Sequence, residues 1–117
     1  MGELIALLFL ARELAHREHL RTRSFSVHMA LNDFYHEIVE KADAIAEAWQ
    51  GEHELLDIPM LDSSVKGDIV KILKEHVAWI KAHRYEVAPK DDTPIQNLID
   101  EAVETYLSTL YKLRFLS

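Results

Sequence analysis

The 117-residue sequence contains no cysteine, so it can build neither a disulfide framework nor a thiolate metal site. That absence fits a reducing compartment, and a cytoplasmic location is expected on this ground. Glycine and proline occur three times each, too rarely for a collagen-like, loop-dominated or disordered chain. The apolar run Leu4 to Leu10 falls well short of the roughly 18 residues that a membrane span needs. It comes after Gly2-Glu3 with no basic segment, and Arg12, Glu13 and His16 interrupt its continuation at helical spacing. It reads as a core helix rather than a signal peptide, and no membrane partner is expected. Positive charge is also scarce: 13 Lys and Arg stand against 20 Asp and Glu, a net charge of −7. Neither end carries a Lys/Arg-rich arm, so DNA binding is not expected. Gly-rich phosphate loops and Ser/His/Asp or Cys/His pairings are missing too, which leaves nucleotide-binding and hydrolase readings without support.

What is present is the composition of one soluble domain, 49% hydrophobic and 28% charged, with room for a single modest core. Apolar residues recur at three- and four-residue steps in four segments. The first runs from about Gly2 to Thr22. The second runs from about Ser26 to Gln50, with Ser24 or Ser26 as its cap, Phe25 as an entry staple and Gly51 as its natural stop. The third covers about Ser64 to Tyr85. The fourth opens on Thr93-Pro94-Ile95-Gln96, a capping box with Thr93 as N-cap, and ends near Phe115. No strand signal intervenes. The expected fold is all-α, an antiparallel four-helix bundle forming a single domain over residues 1–117. Between the second and third segments, Glu52 to Ser63 contains Pro59 and no helical period. At roughly 3.3 Å per extended residue it is long enough to travel the length of a bundle, so a long crossover and a hairpin both remain open. Trp49, Trp79, Tyr106 and Tyr111 are expected as core or interface anchors.

Histidine is well represented, with seven in the chain. His19 and His28 bracket the short link between the first two helices. A short link forces those helices antiparallel, so the two histidines should face each other across the turn. Further along the second helix Asp43 and Glu47 stand four apart, on one face. Imidazole and carboxylate together suit divalent iron, manganese or zinc. Fifteen residues separate His28 from Asp43, about 22 Å along a helix, so one chain cannot bring them to one ion. Two chains paired antiparallel across a twofold axis can, giving two equivalent sites. Taken alone, His19 and His28 also read as polar residues at a helix corner, and Asp43 and Glu47 as a solvated face. Glu13-Leu14-Ala15-His16 is a Glu-x-x-His element, but no second copy lies on another helix. Glu75, His76, Asp100, Glu101 and Glu104 do not supply one, so a di-iron site inside the bundle is not expected. His36, His53 and His83 read as surface residues.

The constellation His19, His28, Asp43 and Glu47 resembles that of the Dps miniferritins, a branch of the ferritin-like superfamily. The stretches Ala15 to Gly51 and Gln96 to Leu116 look like small phage-encoded Dps-like proteins, about half of the chain in all. The resemblance implies a ferritin-like bundle, a homodimer or larger shell, and an iron (Fe2+) site between subunits with ferroxidase activity. His19 and His28 of one subunit would meet Asp43 and Glu47 of the other; another divalent metal is the variant of this expectation. A phage-encoded protein would work in the host cytoplasm. The sequence departs from the Dps pattern at Leu20, where an aromatic is usual, at Asn32, where an acid is expected, in a shorter His19–His28 connection, and in lacking a basic tail. The alternative is a non-catalytic, phage-type structural or protein-interaction module on the same bundle.

Overall fold

The computed structural model describes residues 1–117 and contains four helices and no strand: α1 (Gly2–Arg21), α2 (Phe25–Glu52), α3 (Ile69–Val87) and α4 (Thr93–Phe115). Three of the helices start on a side chain that accepts a bond from an orphan N–H. Ser24 Oγ takes the Val27 N–H at 3.3 Å, Asp68 takes Val70 at 3.1 Å, and Asp92 takes Ile95 at 3.4 Å. These caps shift several boundaries from those the sequence suggests. Gly51 does not end α2; the helix runs through it to Glu52, and His53 is the C-cap. The third helix starts only at Ile69, because Gly67 turns the chain at φ 148° and Asp68 caps the helix directly after it. At α4 the N-cap is Asp92 rather than Thr93. Gln96 does not complete a capping box. Its amide N–H groups donate to the Arg84 and Ala88 carbonyls at 3.1 and 3.0 Å, while its Oε1 accepts from Arg84 Nε at 2.8 Å. Gln96 thereby locks the α3–α4 turn. Phe25, expected as a staple, is exposed.

In cross-section, α1 packs on α2 and α3, and α4 packs on α2 and α3, leaving α1/α4 and α2/α3 as diagonals. The ends fix the directions. Asp33 near the start of α2 pairs with Lys112 near the end of α4, whereas Glu52 at the end of α2 meets Asp92 at the start of α4. The first turn of α1 lies against the last turn of α3, and its last turn against the first turn of α3. Every neighbouring pair is therefore antiparallel, while α2 and α3 are parallel. That arrangement requires the connection 53–68 to run the full length of the bundle, and it does so along α1. It touches Gly2 through Asp57, lies over Ala6, Phe9 and Leu10, and reaches Leu14 and Arg21 at the other end. The connection is a crossover, not a hairpin.

The core combines apolar faces from all four helices, with Leu4, Ile5, Leu8, Leu31, Phe34, Ile38, Ile45, Leu73, Ile80, Ile95, Ile99 and Tyr106 fully enclosed. Phe34 and Tyr106 meet edge-on at 5.1 Å, the geometry that sets a ring's positive edge against a negative face. The Tyr106 hydroxyl is hydrogen-bonded to His76 Nδ1 at 3.0 Å. Trp49 and Trp79 are half-buried at the margins, whereas Tyr111 is exposed. No helix is long and apolar enough to cross a membrane.

Candidate metal centre

His19 ends α1 and His28 lies in the first turns of α2, so the tight turn at 22–24 brings them face to face. Their rings stack with centroids 3.7 Å apart and planes 18° from parallel. Each Nδ1 lies 2.7 Å from the other residue's carbonyl oxygen. A carbonyl only accepts, so each Nδ1 carries the proton and donates it across the turn. The two bonds form a reciprocal clasp, and in the neutral rings they leave each Nε2 as the lone-pair nitrogen. No protein group bonds either Nε2, yet no buried side-chain nitrogen or oxygen lacks a partner. The Nε2 of the otherwise buried His19 therefore reaches the surface. A backbone carbonyl holding one ring nitrogen while the other stays free is the usual preparation of a ligating imidazole.

Around the clasp lies an aromatic sheath. His16 stacks on Tyr35 at 4.3 Å, and Tyr35 approaches His19 edge-on at 5.3 Å. His16 is thus a packing residue. Its partner in the Glu-x-x-His element, Glu13, is held by Arg17 at 2.9 Å on the outer face of α1. That hydrogen bond keeps the Glu13 carboxyl below the usual range. Asn32 accepts from the Tyr35 hydroxyl at 3.3 Å.

Asp43 and Glu47 are exposed on the outward side of α2. The uninterrupted helix Phe25–Glu52 holds them far from His28 in the same protomer. Of the four residues singled out in the sequence, one chain brings the two histidines together and keeps the two carboxylates apart from them.

A second group has no counterpart among the sequence expectations. Glu52, His53 and Asp92 offer ligand atoms that all lie within 4.8 Å of one another. Glu52 ends α2, His53 caps it, and Asp92 caps α4. Hydrogen-bond contact with Asp92 is the main cause that pushes the Glu52 carboxyl above its ordinary range; slight desolvation and the Asp92 charge add to it, and His53 opposes it. Glu52 and His53 are exposed and Asp92 is half-buried. Its sequence signal is Glu52-His53 directly after one helix and Asp91-Asp92 directly before another, but only the order of helices around the bundle places the two at one pole. His53 lies against Trp49 with ring centroids 4.6 Å apart and planes tilted by 38°, and His83 is half-buried against Trp79 at 4.4 Å. His36 is exposed as expected. His76 is the one histidine that burial holds strongly neutral, its pKa pushed down to about 4.

No curated protein and no solved structure matches the chain. One family does, over residues 19–113, a span that contains both histidines of the clasp, both carboxylates of α2 and the Glu52/His53/Asp92 group. The chain belongs to that family, a family of unknown function designated DUF5856.

Proposed function

We propose that the protein is a Dps-like metal-binding bundle in which two copies pair through the outer face of α2 and the adjoining turn that carries the clasp. The His19 and His28 Nε2 atoms of one copy face Asp43 and Glu47 of the other. The observation that carries this reading is the reciprocal clasp: both Nδ1 atoms are bound to carbonyls and both Nε2 atoms are unbound. Two imidazoles and two carboxylates form a donor set that fits divalent iron, with manganese or zinc as the variants. Bound Fe(II) would supply the electrons to reduce oxygen or peroxide. The chain's own contribution is orientation: the clasp fixes the rings, and α2 presents the two carboxylates one turn apart. The single long crossover is the connectivity that ferritin-like bundles use. Charge favours a copy as the partner. Arg23 lies in the turn that joins α1 to α2, and Asp43 and Glu47 lie in the far half of α2, so a twofold antiparallel pairing sets opposite charges against each other.

The same clasp also favours a second reading, in which the histidines only close the turn and the bundle is a structural or interaction module. Anaerobic Fe(II) titration with solution mass separates the two. The first reading expects saturable binding near one metal per chain in a dimer or larger shell. Binding should be lost in Asp43→Ala/Glu47→Ala, whose substituted side chains are exposed and leave the fold intact, and in His28→Ala. Mixing those two defective proteins should restore one site per mixed dimer. A folded protein without saturable binding would leave the second reading.

A further inference from the structure

We infer that the cleft between the last turns of α1 and the end of the crossover binds a small organic anion with a short apolar body, such as a phosphate monoester. This cleft lies on the α3 side of α1, apart from the clasp, and encloses about 470 Å³, within the range of roughly 300–1,000 Å³ typical of small-molecule sites. Its floor is apolar: Leu14, Ile69 and Ile72 are buried there, and Leu20 overhangs it, 72% exposed. Its rim carries Arg17, Arg21 and Lys66 against Glu18 and against Glu13, which pairs with Arg17, so three positive charges stand against two negative, a net of one. In a chain of net charge −7 this is a local reversal of sign.

Two of those cations are available. Arg17 is held by Glu13 at 2.9 Å, whereas Arg21 approaches Glu18 only to 3.9 Å, and Lys66 takes part in no ion pair. Ser63 and Ser64 line the same rim, Ser64 being tied through its N–H to the Asp62 carboxylate at 2.9 Å. Gly67 shapes the wall: its φ of 148° lets the chain fold in toward α3 where a side chain would be strained. An apolar floor beneath a cationic rim selects a ligand with both parts. The floor gives little to inorganic phosphate, and the rim gives little to an alcohol of equal length.

The test is calorimetric titration of the full chain with hexyl phosphate in the presence of EDTA, which silences any metal site. Inorganic phosphate, hexanol and anionic phospholipid vesicles are the comparison ligands. The expected result is saturable binding of hexyl phosphate at one site, at least tenfold tighter than either phosphate or hexanol. Arg21→Ala/Lys66→Ala, two exposed positions, should weaken it tenfold or more while the helical circular dichroism stays unchanged. Lack of saturable binding overturns the inference. So does equal affinity for hexanol or phosphate, binding that the double variant retains, or capture by vesicles alone. None of these outcomes bears on the Fe(II) titration, so the two readings fail separately.

Discussion

His76 is the residue whose chemistry is most altered by the fold. Burial lowers its pKa from 6.5 to about 4, and Tyr106, itself fully buried with its hydroxyl pushed up by desolvation, is its hydrogen-bond partner. Above pH 6.5 the ring is neutral in both folded and unfolded chains and titration contributes nothing. As the pH falls from 6.5 toward 4 the unfolded chain takes up a proton that the folded chain refuses, so stability is lost through that window. The loss attributable to this group is on the order of 3 kcal/mol by pH 4. Urea unfolding at pH 7 and pH 4.5 measures it: His76→Gln should unfold with a visibly smaller difference between the two pH values than the parent. An equal difference would mean that burial does not control this histidine. The clasp histidines show how far residue-level reasoning reaches. The spacing of His19 and His28 is enough to place them opposite one another, but not to show which nitrogen each ring leaves free, since that depends on the path of the backbone carbonyls.

At the scale of single elements, two glycines in helices make opposite predictions. Gly51 has the sequence context of a helix stop but is helical, and a Cβ there would meet nothing within 4 Å. Gly51→Ala should raise unfolding stability by about 0.5 kcal/mol, less than a mid-helix site because the last turn frays. Gly2 begins α1 under the crossover, and a Cβ there would collide with the Asp57 carbonyl oxygen. That contact is backbone, which cannot rotate away, so Gly2→Ala should cost about 1–3 kcal/mol. Thermal melts of the two variants should move in opposite directions, and a gain from Gly2→Ala would contradict the close passage of the crossover over α1. The sequence alone cannot separate these glycines, because glycine after an apolar run signals a helix stop wherever tertiary contacts do not continue the helix. Here Gln50 Oε1 takes the Leu56 N–H at 2.9 Å and the His53 ring packs against Trp49, so the chain stays helical past Gly51.

For the molecule as a whole, the parallel relation of α2 and α3 is the decisive feature. It forces one connection to run from pole to pole, which covers the outer side of α1 and leaves the outer side of α2 exposed. The proposed pairing rests partly on opposite charges, so its strength should fall with ionic strength. Sedimentation equilibrium at about 50 mM and 500 mM salt should show a dimer dissociation constant several-fold weaker at the higher salt. An association that strengthens with salt would indicate an apolar contact elsewhere, with the exposed Leu55 and Met60 of the crossover as the first place to look.

The sequence by itself determined the class and number of the elements, because helical periodicity, a lack of strand signals and scarce glycine and proline are local properties. It also placed Tyr106 inside and put His19 against His28, since a short turn admits few geometries. Tertiary structure alone decided between hairpin and crossover for 53–68, because either path satisfies the same local chemistry and only packing on α1 distinguishes them. It alone brought Glu52 and His53 to Asp92, and placed Arg21 and Lys66 on one cleft, although these residues are far apart in the chain. It also set the outward aim of Asp43 and Glu47: a continuous helix fixes their distance from His28, and the packing of α2 on α1 and α4 fixes the side that remains open.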